Sequence, residues 1–221
     1  MNLYFLLEGK TEKKVYPKLL SHFSPKLNKV DFADEAKENN YYLVTAGGFP
    51  CLFDKALPKA IKEVDECSNF NHLILVLDTD NKKEIREKIE HTRINTVLNS
   101  NCRFHIIAQE CCLETWFLGN RAVYPNKQSN NNFLNHAQFY NVSQEDPELM
   151  LKPDCFTGSI SNYHENYLKQ MLFTQGINYS KKIPGGVTTT EYIAELKNRI
   201  NETPHLSSLK NFFSFCESIS L

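Results

Sequence analysis

Leu3-Tyr4-Phe5-Leu6-Leu7-Glu8-Gly9-Lys10-Thr11-Glu12 and Leu73-Ile74-Leu75-Val76-Leu77-Asp78-Thr79-Asp80-Asn81 are the two stretches that decide the fold. Each is a continuous apolar run of strand length that ends in carboxylate. Such runs fit strands buried on both faces, because a half-exposed strand would alternate polar with apolar. After the first run come Gly9 and Thr11, then a helical stripe of Val15, Tyr16, Leu19, Leu20 and Phe23 that Pro25 ends. Residues 26–39 read as polar loop. Tyr41–Thr45 is a second strand, Ala46-Gly47-Gly48-Phe49-Pro50 a turn, and 51–66 a helix carrying Leu52, Ala56, Ala60, Ile61 and Val64. Beyond the 73–77 strand, 82–99 forms a charged amphipathic helix with Ile85, Ile89, Ile94, Val97 and Leu98. Phe104–Ala108 is a fourth strand and Leu113–Leu118 starts another helix.

The first 120 residues thus alternate β-α-β-α-β-α-β-α, which calls for a parallel sheet with helices on its faces. Right-handed crossovers bring the loops after all strands to one edge. Glu8, Gly47-Gly48, Asp78, Asp80 and Gln109–Glu114 are expected to share that edge. Patterning weakens over 121–180, where Pro125, Pro147, Pro153 and the Gln128–Asn132 tract lie. Helices are expected near 131–139 and 159–173. Patterning returns in Thr188–Glu191, which fits a capping box with Thr188 bonding forward, ahead of Tyr192, Ile193, Leu196 and Ile200. After Pro204 a last helix carries Leu206, Leu209, Phe212, Phe213, Cys216 and Ile219. The expected organisation is an α/β core over 1–120, a helical insertion with an Asn-rich loop over 121–180, and a C-terminal segment, 181–221, completing the core.

With 221 residues, 41% hydrophobic and 23% charged, the chain suffices for one sizeable core. No apolar run approaches the roughly 18–20 residues that span a bilayer, and no basic lead or small-residue cleavage site marks a signal peptide. The seven cysteines form no Cys-x-x-Cys pair, and their number is odd. Reduced thiols in a cytoplasm are the expectation, with Cys111-Cys112 packing at a helix start. The 25 basic and 26 acidic residues give a net charge of −1. A protein that coats nucleic acid non-specifically carries a basic surplus, so any action on nucleic acid runs through a local site, a metal or a basic partner.

Asp78 and Asp80, two apart at a strand end, are expected to point to one face. Glu8 on a neighbouring strand completes an oxygen-rich site for Mg²⁺ or Mn²⁺, since clustered carboxylates repel unless a cation lies between them. The plainer alternative makes Asp78 a helix cap and Asp80 the start of a turn. Glu12, one helical turn after Glu8, either faces the same pocket or complements the helix dipole. Lys10, Lys13 and Lys14 either meet phosphate or are solvated. Glu110 and Glu114 share a helical face after a strand end, and Trp116 and Phe117 read as core. None of the seven histidines pairs at ligand spacing. His72 and His105 lie near strand starts, while His164 and His205 are isolated.

Leu7-Glu8-Gly9-Lys10-Thr11-Glu12 followed by the Asp78-Thr79-Asp80 strand end resembles the TOPRIM domain of topoisomerases, primases and OLD-type nucleases. The Glu-Gly-x-x-Glu form is most similar to OLD-type and small stand-alone TOPRIM nucleases of prokaryotic antiviral defence. The resemblance implies a Rossmann-like TOPRIM sheet, with metal at Glu8, Asp78 and Asp80 and with Glu12 joining them. It further implies a later acid, Glu114 in Glu114-Thr115-Trp116, and a lysine beyond the insertion, Lys181 or Lys182. The small-residue motif that OLD-type nucleases carry after strand four is replaced here by Gln109-Glu110-Cys111-Cys112. No Gly-x-x-x-x-Gly-Lys-Ser/Thr loop occurs, and Gly47-Gly48 and Gly185-Gly186 read as turns. The implied activity is divalent-metal-dependent phosphodiester hydrolysis on DNA or RNA. The alternatives are a phosphoryl-transfer enzyme on nucleotides and a TOPRIM binding module regulated by a separate ATPase or sensor chain, as part of an oligomer.

Overall fold

The computed structural model describes residues 1–99, 101–125 and 131–219. Gln128, Ser129 and Asn130 of the Asn-rich tract lie outside the described residues. Five strands form one sheet: β1 (Asn2–Leu7), β2 (Asn28–Lys29), β3 (Asn40–Thr45), β4 (His72–Asp78) and β5 (Arg103–Gln109). Their order is β2-β3-β1-β4-β5 and all are parallel. Eight α-helices occur among the described residues: α1 (Glu12–Phe23), α2 (Leu57–Cys67), α3 (Lys83–Asn95), α4 (Leu113–Leu118), α5 (Asn131–Phe139), α6 (Ile160–Phe173), α7 (Thr190–Glu202) and α8 (Ser207–Ser218). The expected α/β class with a parallel sheet flanked by helices is what the chain forms. No helix among the described residues is long and apolar enough to cross a membrane.

The chain divides into two compact units, neither continuous in sequence. One comprises Met1–Asp78, Lys82–Ala108 and Phe213–Leu221; the other comprises Thr79–Asn81 and Gln109–Phe212. In the first unit β1 is central, with Leu3 in register with Tyr41 of β3 and with His72 of β4. Every residue of β1 is buried, which explains its unbroken apolar run. One face packs Tyr4, Leu6, Leu73, Leu75 and Leu77 with Leu57, Ala60 and Val64 of α2 and with Ile85 and Ile89 of α3. On α1, Tyr16 meets the ring of Phe5, and Phe23 lies 4.2 Å from Phe213, centroid to centroid. Fully burying each such side chain contributes about 1.5–3 kcal/mol.

The second unit is helical and holds two polar anchors. Trp116 stacks on Phe212 and donates its indole N–H to Ser208 Oγ at 2.7 Å, so Trp116 and Phe117 are core, as expected. Arg199 is fully buried. It donates to the carbonyls of Gly119 (3.0 Å), Val142 (2.6 Å) and Glu145 (2.7 Å), gathering two loops onto α7. Burial lowers its pKa.

Several elements differ from the sequence expectations. The 26–39 stretch contains β2, whose two exposed residues pair with Asn40 and Tyr41; two residues are too few to show a period. Residues 52–56 begin the second helical segment as a wider π turn. The 82–99 helix ends at Asn95, and Ile94 and Val97 are both 76% exposed. Its buried stripe is Ile85, Ile89 and Thr92 instead. Thr188 does not cap α7: its hydroxyl donates to Gly185 O, and Thr189 accepts from the Tyr192 amide. Leu206, at φ 57°, precedes α8 rather than joining it.

His72 and His105, at the starts of β4 and β5, contact each other, with Nδ1 of the first 2.8 Å from Nε2 of the second. Burial pushes the His72 imidazole down from 6.5 to about 4 and lowers that of His105 as well. Above pH 6.5 His72 is neutral folded or unfolded. As pH falls from 6.5 towards 4, the unfolded chain takes up a proton that the folded chain refuses. Stability is therefore expected to fall across this window, by up to roughly 3 kcal/mol at about 1.4 kcal/mol per pKa unit. Urea denaturation between pH 7 and 4 should show the loss, and His72→Gln should reduce it, leaving the part due to His105.

Candidate functional site

In the first unit the site starts from the ends of β3, β1 and β4. The Glu8 amide continues the ladder by donating to Val76 O at 2.9 Å. The next rung is made by a side chain, because the Asp78 amide donates to Glu8 Oε2, also at 2.9 Å. Glu8 is held from the other side too. Gly47 and Gly48 turn the chain after β3 with φ 82° and 92°, values that favour glycine, and the Gly48 amide donates to Glu8 O. The Glu8 carboxylate and the Asp78 backbone thus meet at the carboxyl edge of the sheet, at the ends of adjacent strands.

Glu12 is the first residue of α1 and is buried, at 6% exposure. Its carboxylate folds back over Gly9, where a Cβ would lie 2.8 Å from Glu12 Oε2. The glycine therefore makes room for the acid. Glu12 joins the Glu8-Gly9 turn and also occupies the dipole-favoured first turn of its helix. Lys10, Lys13 and Lys14 are exposed.

Asp80 corrects one expectation. The strand ends at Asp78, and Asp80 and Asn81 take φ values of 49° and 54°. The two-residue alternation of a strand does not extend to Asp80, so it gives no common face with Asp78. A tight left-handed turn carries Asp80 instead, a conformation that Asp and Asn tolerate best among non-glycine residues. This turn belongs to the second unit. There the Asp80 amide donates to Cys111 O at 2.8 Å, Ser161 Oγ donates to the Asp80 carboxylate, and Thr79 Oγ1 accepts from the Cys111 amide at 2.9 Å.

The second unit also brings Glu114 and Lys181 together across 66 intervening residues. Glu114 is 1% exposed and accepts a hydrogen bond from Tyr179 Oη at 2.8 Å. Lys181 Nζ lies 3.7 Å from Glu114 and 3.5 Å from Glu165. Lys169 pairs with Glu165 at 2.5 Å. Burial, reinforced by the charge of Glu114, pushes the Tyr179 phenol far above its usual range, so Tyr179 stays a donor. Glu165, Tyr179 and Ser161 were not foreseen. A signal existed in Ser161, His164 and Glu165, which are spaced three and four apart and so share one polar face of α6. Ser161 and His164 are buried there.

Cys111 and Cys112 are buried, as expected, but they do not lie in a purely apolar setting. With His164 they place three ligand-type atoms within 4.8 Å of one another. Hydrogen bonding with Cys112, then with His164 and Ser161, holds the Cys111 thiol below its usual range against the upward push of burial. None of the seven cysteines forms a disulfide. The second unit also has a hollow of about 650 Å³ lined by His136, Phe139, Phe156, Tyr163, Asn166 and Gln170, among others. His136 stacks on Tyr163 there, with an interplanar angle of 23°.

Comparison with protein families, with curated proteins and with solved structures gives no match. The fold itself defines the class, an α/β protein with an all-parallel five-stranded sheet of Rossmann-like type.

Removing the Tyr179 hydroxyl deprives a buried carboxylate of a donor. Tyr179→Phe is expected to cost about 1–3 kcal/mol. Lys181→Ala, which removes a 44%-exposed partner, should cost under about 1 kcal/mol. Urea denaturation of the two variants checks the ranking.

Proposed function

We propose that the chain is a TOPRIM-type nuclease that hydrolyses phosphodiester bonds with Mg²⁺ or Mn²⁺. The observation that carries this reading is the hydrogen bond from the Asp78 amide to the Glu8 carboxylate. It fixes two acids on the ends of adjacent parallel strands, the arrangement that the Glu-Gly-x-x-Glu and Asp-x-Asp sequences resemble. The donor set fits the ion, for carboxylate oxygens are hard ligands that suit Mg²⁺ and Mn²⁺. Glu8 and Asp78 would hold it, with Glu12 from the same turn. When bound, the ion supplies Lewis-acid polarisation of a phosphoryl oxygen and lowers the pKa of a bound water.

The remaining work falls to the protein. The Asp78 amide and the Gly48 amide keep Glu8 oriented, so little reorganisation is needed when substrate arrives. Lys181 is held by Glu114 and Glu165, and it is the lysine to which the resemblance gives the offsetting of charge on a phosphate. At a net charge of −1, contact with nucleic acid rests on few groups and is completed by a partner. A separate ATPase or sensor chain in a cytoplasmic antiviral defence system fits the missing nucleotide-binding loop. The hollow beside His136 and Tyr163 favours a second reading as well: aromatic faces and amides suit one nucleobase, so a nucleotide substrate is the alternative.

Incubation with plasmid DNA, single-stranded DNA and RNA in Mn²⁺ tests both readings. Cleavage of a polynucleotide is expected, with Glu8→Gln and Asp78→Asn each lowering the rate at least about 100-fold. Equal cleavage by wild type and Asp78→Ala would sink the metal-site assignment. Nucleotide hydrolysis without polynucleotide cleavage would favour the second reading.

A further inference from the structure

We propose that Cys111, Cys112 and His164 form a second metal site, for a thiophilic ion of the Zn²⁺ type, distinct in chemistry from the carboxylate edge. Two thiols and an imidazole place their ligand atoms within 4.8 Å of one another, and all three residues are buried. Zinc holds sulfur at about 2.3 Å and nitrogen at about 2.1 Å, so ligand atoms around a tetrahedral ion stand roughly 3.5–3.8 Å apart. A closure on the order of 1 Å completes the geometry.

The backbone is arranged for this convergence. Successive side chains of an extended segment point to opposite sides. Cys111 instead adopts φ 62°, while Cys112 is extended. The left-handed residue turns the two neighbouring thiols towards a common point, in a conformation that costs a non-glycine residue roughly 1–2 kcal/mol. Positions of this kind persist where the surroundings require them.

His164 is oriented as a ligand would be. Its Nε2–H donates to Met150 O at 3.0 Å, which leaves the lone pair on Nδ1. Nδ1 now accepts from Thr115 Oγ1 at 2.8 Å. A backbone carbonyl holding the far nitrogen is the usual support for a metal-bound imidazole. The fourth position is left to an oxygen, and Ser161 Oγ lies 3.9 Å from Cys111 Sγ. Binding one Zn²⁺ releases the two thiol protons to solvent, and the two thiolates cancel the charge of the ion. Soft sulfur donors select such an ion over Mg²⁺.

The site would act as a clasp. Cys111 O accepts the Asp80 amide, and Ser161 on α6 donates to the Asp80 carboxylate. Metal on Cys111, Cys112 and His164 therefore fixes the Asp80 turn through these two contacts.

The full chain, purified without chelator and titrated with Zn²⁺, should retain about one equivalent after gel filtration. Replacement by Co²⁺ should give an intense thiolate-to-metal charge-transfer band. Cys111→Ser and Cys112→Ser should each abolish the band, whereas Cys51→Ser, at an exposed cysteine outside the cluster, should keep it. If the buried variants fail to fold, the wild type still decides: chelation should expose two further thiols to a maleimide probe, and zinc should protect them again. Folded wild type that retains less than a tenth of an equivalent and shows no band with Co²⁺ overturns the proposal. So does a folded Cys111→Ser/Cys112→Ser double variant that keeps its zinc. Zinc content is read without any cleavage assay, so this inference and the nuclease reading fail separately.

Discussion

Strand β1 has a neighbour on each side and is buried along its whole length. An ionised side chain in such a strand would lose its hydration with nothing to replace it, a cost of several kcal/mol. Charge is therefore admitted only where the strand stops. Because β3, β1 and β4 run parallel, their stops coincide, and Glu8 and Asp78 come together without any loop having to bring them. The same burial explains the Glu8–Asp78 hydrogen bond. The ladder between β1 and β4 runs out of backbone acceptors at Asp78, and the Glu8 carboxylate takes the next amide.

The helical unit solves a different problem. It holds polar groups in the interior and draws their hydrogen-bond partners from the protein, with Arg199 Nε left over. Arg199 spreads its protons over three carbonyls. Glu114 takes a phenol proton and faces a lysine. His164 uses both ring nitrogens. Cys111, Cys112 and His164 bring sulfur and nitrogen close together in the same interior.

The strands were legible because burial on both faces leaves an apolar run that little else produces. β1, β3, β4 and β5 lie within a residue or so of where the pattern puts them. Glu8 and Asp78 followed from those strand ends. Asp80 did not, since its place depends on a left-handed turn held by Cys111 and Ser161, and nothing in Asp78-Thr79-Asp80 announces that turn. Glu114 and Lys181 were each named by resemblance, but their meeting was not, since no local period links residues that far apart. The Cys111–Cys112–His164 group was missed for a related reason. Ligand spacing is sought along the chain, and here the third ligand comes from a helix some fifty residues later.

The first unit closes with Phe213–Leu221, which packs Phe213 against Phe23, while the segment from Gln109 to Phe212 belongs to the other unit. During synthesis the sheet strands are all made by residue 109, yet the aromatic partner of Phe23 comes about a hundred residues later. At roughly 5–20 residues per second, that is a wait on the order of 5–20 s. For that interval a nascent sheet with its carboxylate edge already assembled lacks part of its cover. The helical unit is itself made during that interval, so the nascent core is completed late, after the elements carrying Glu114 and Lys181 have been made.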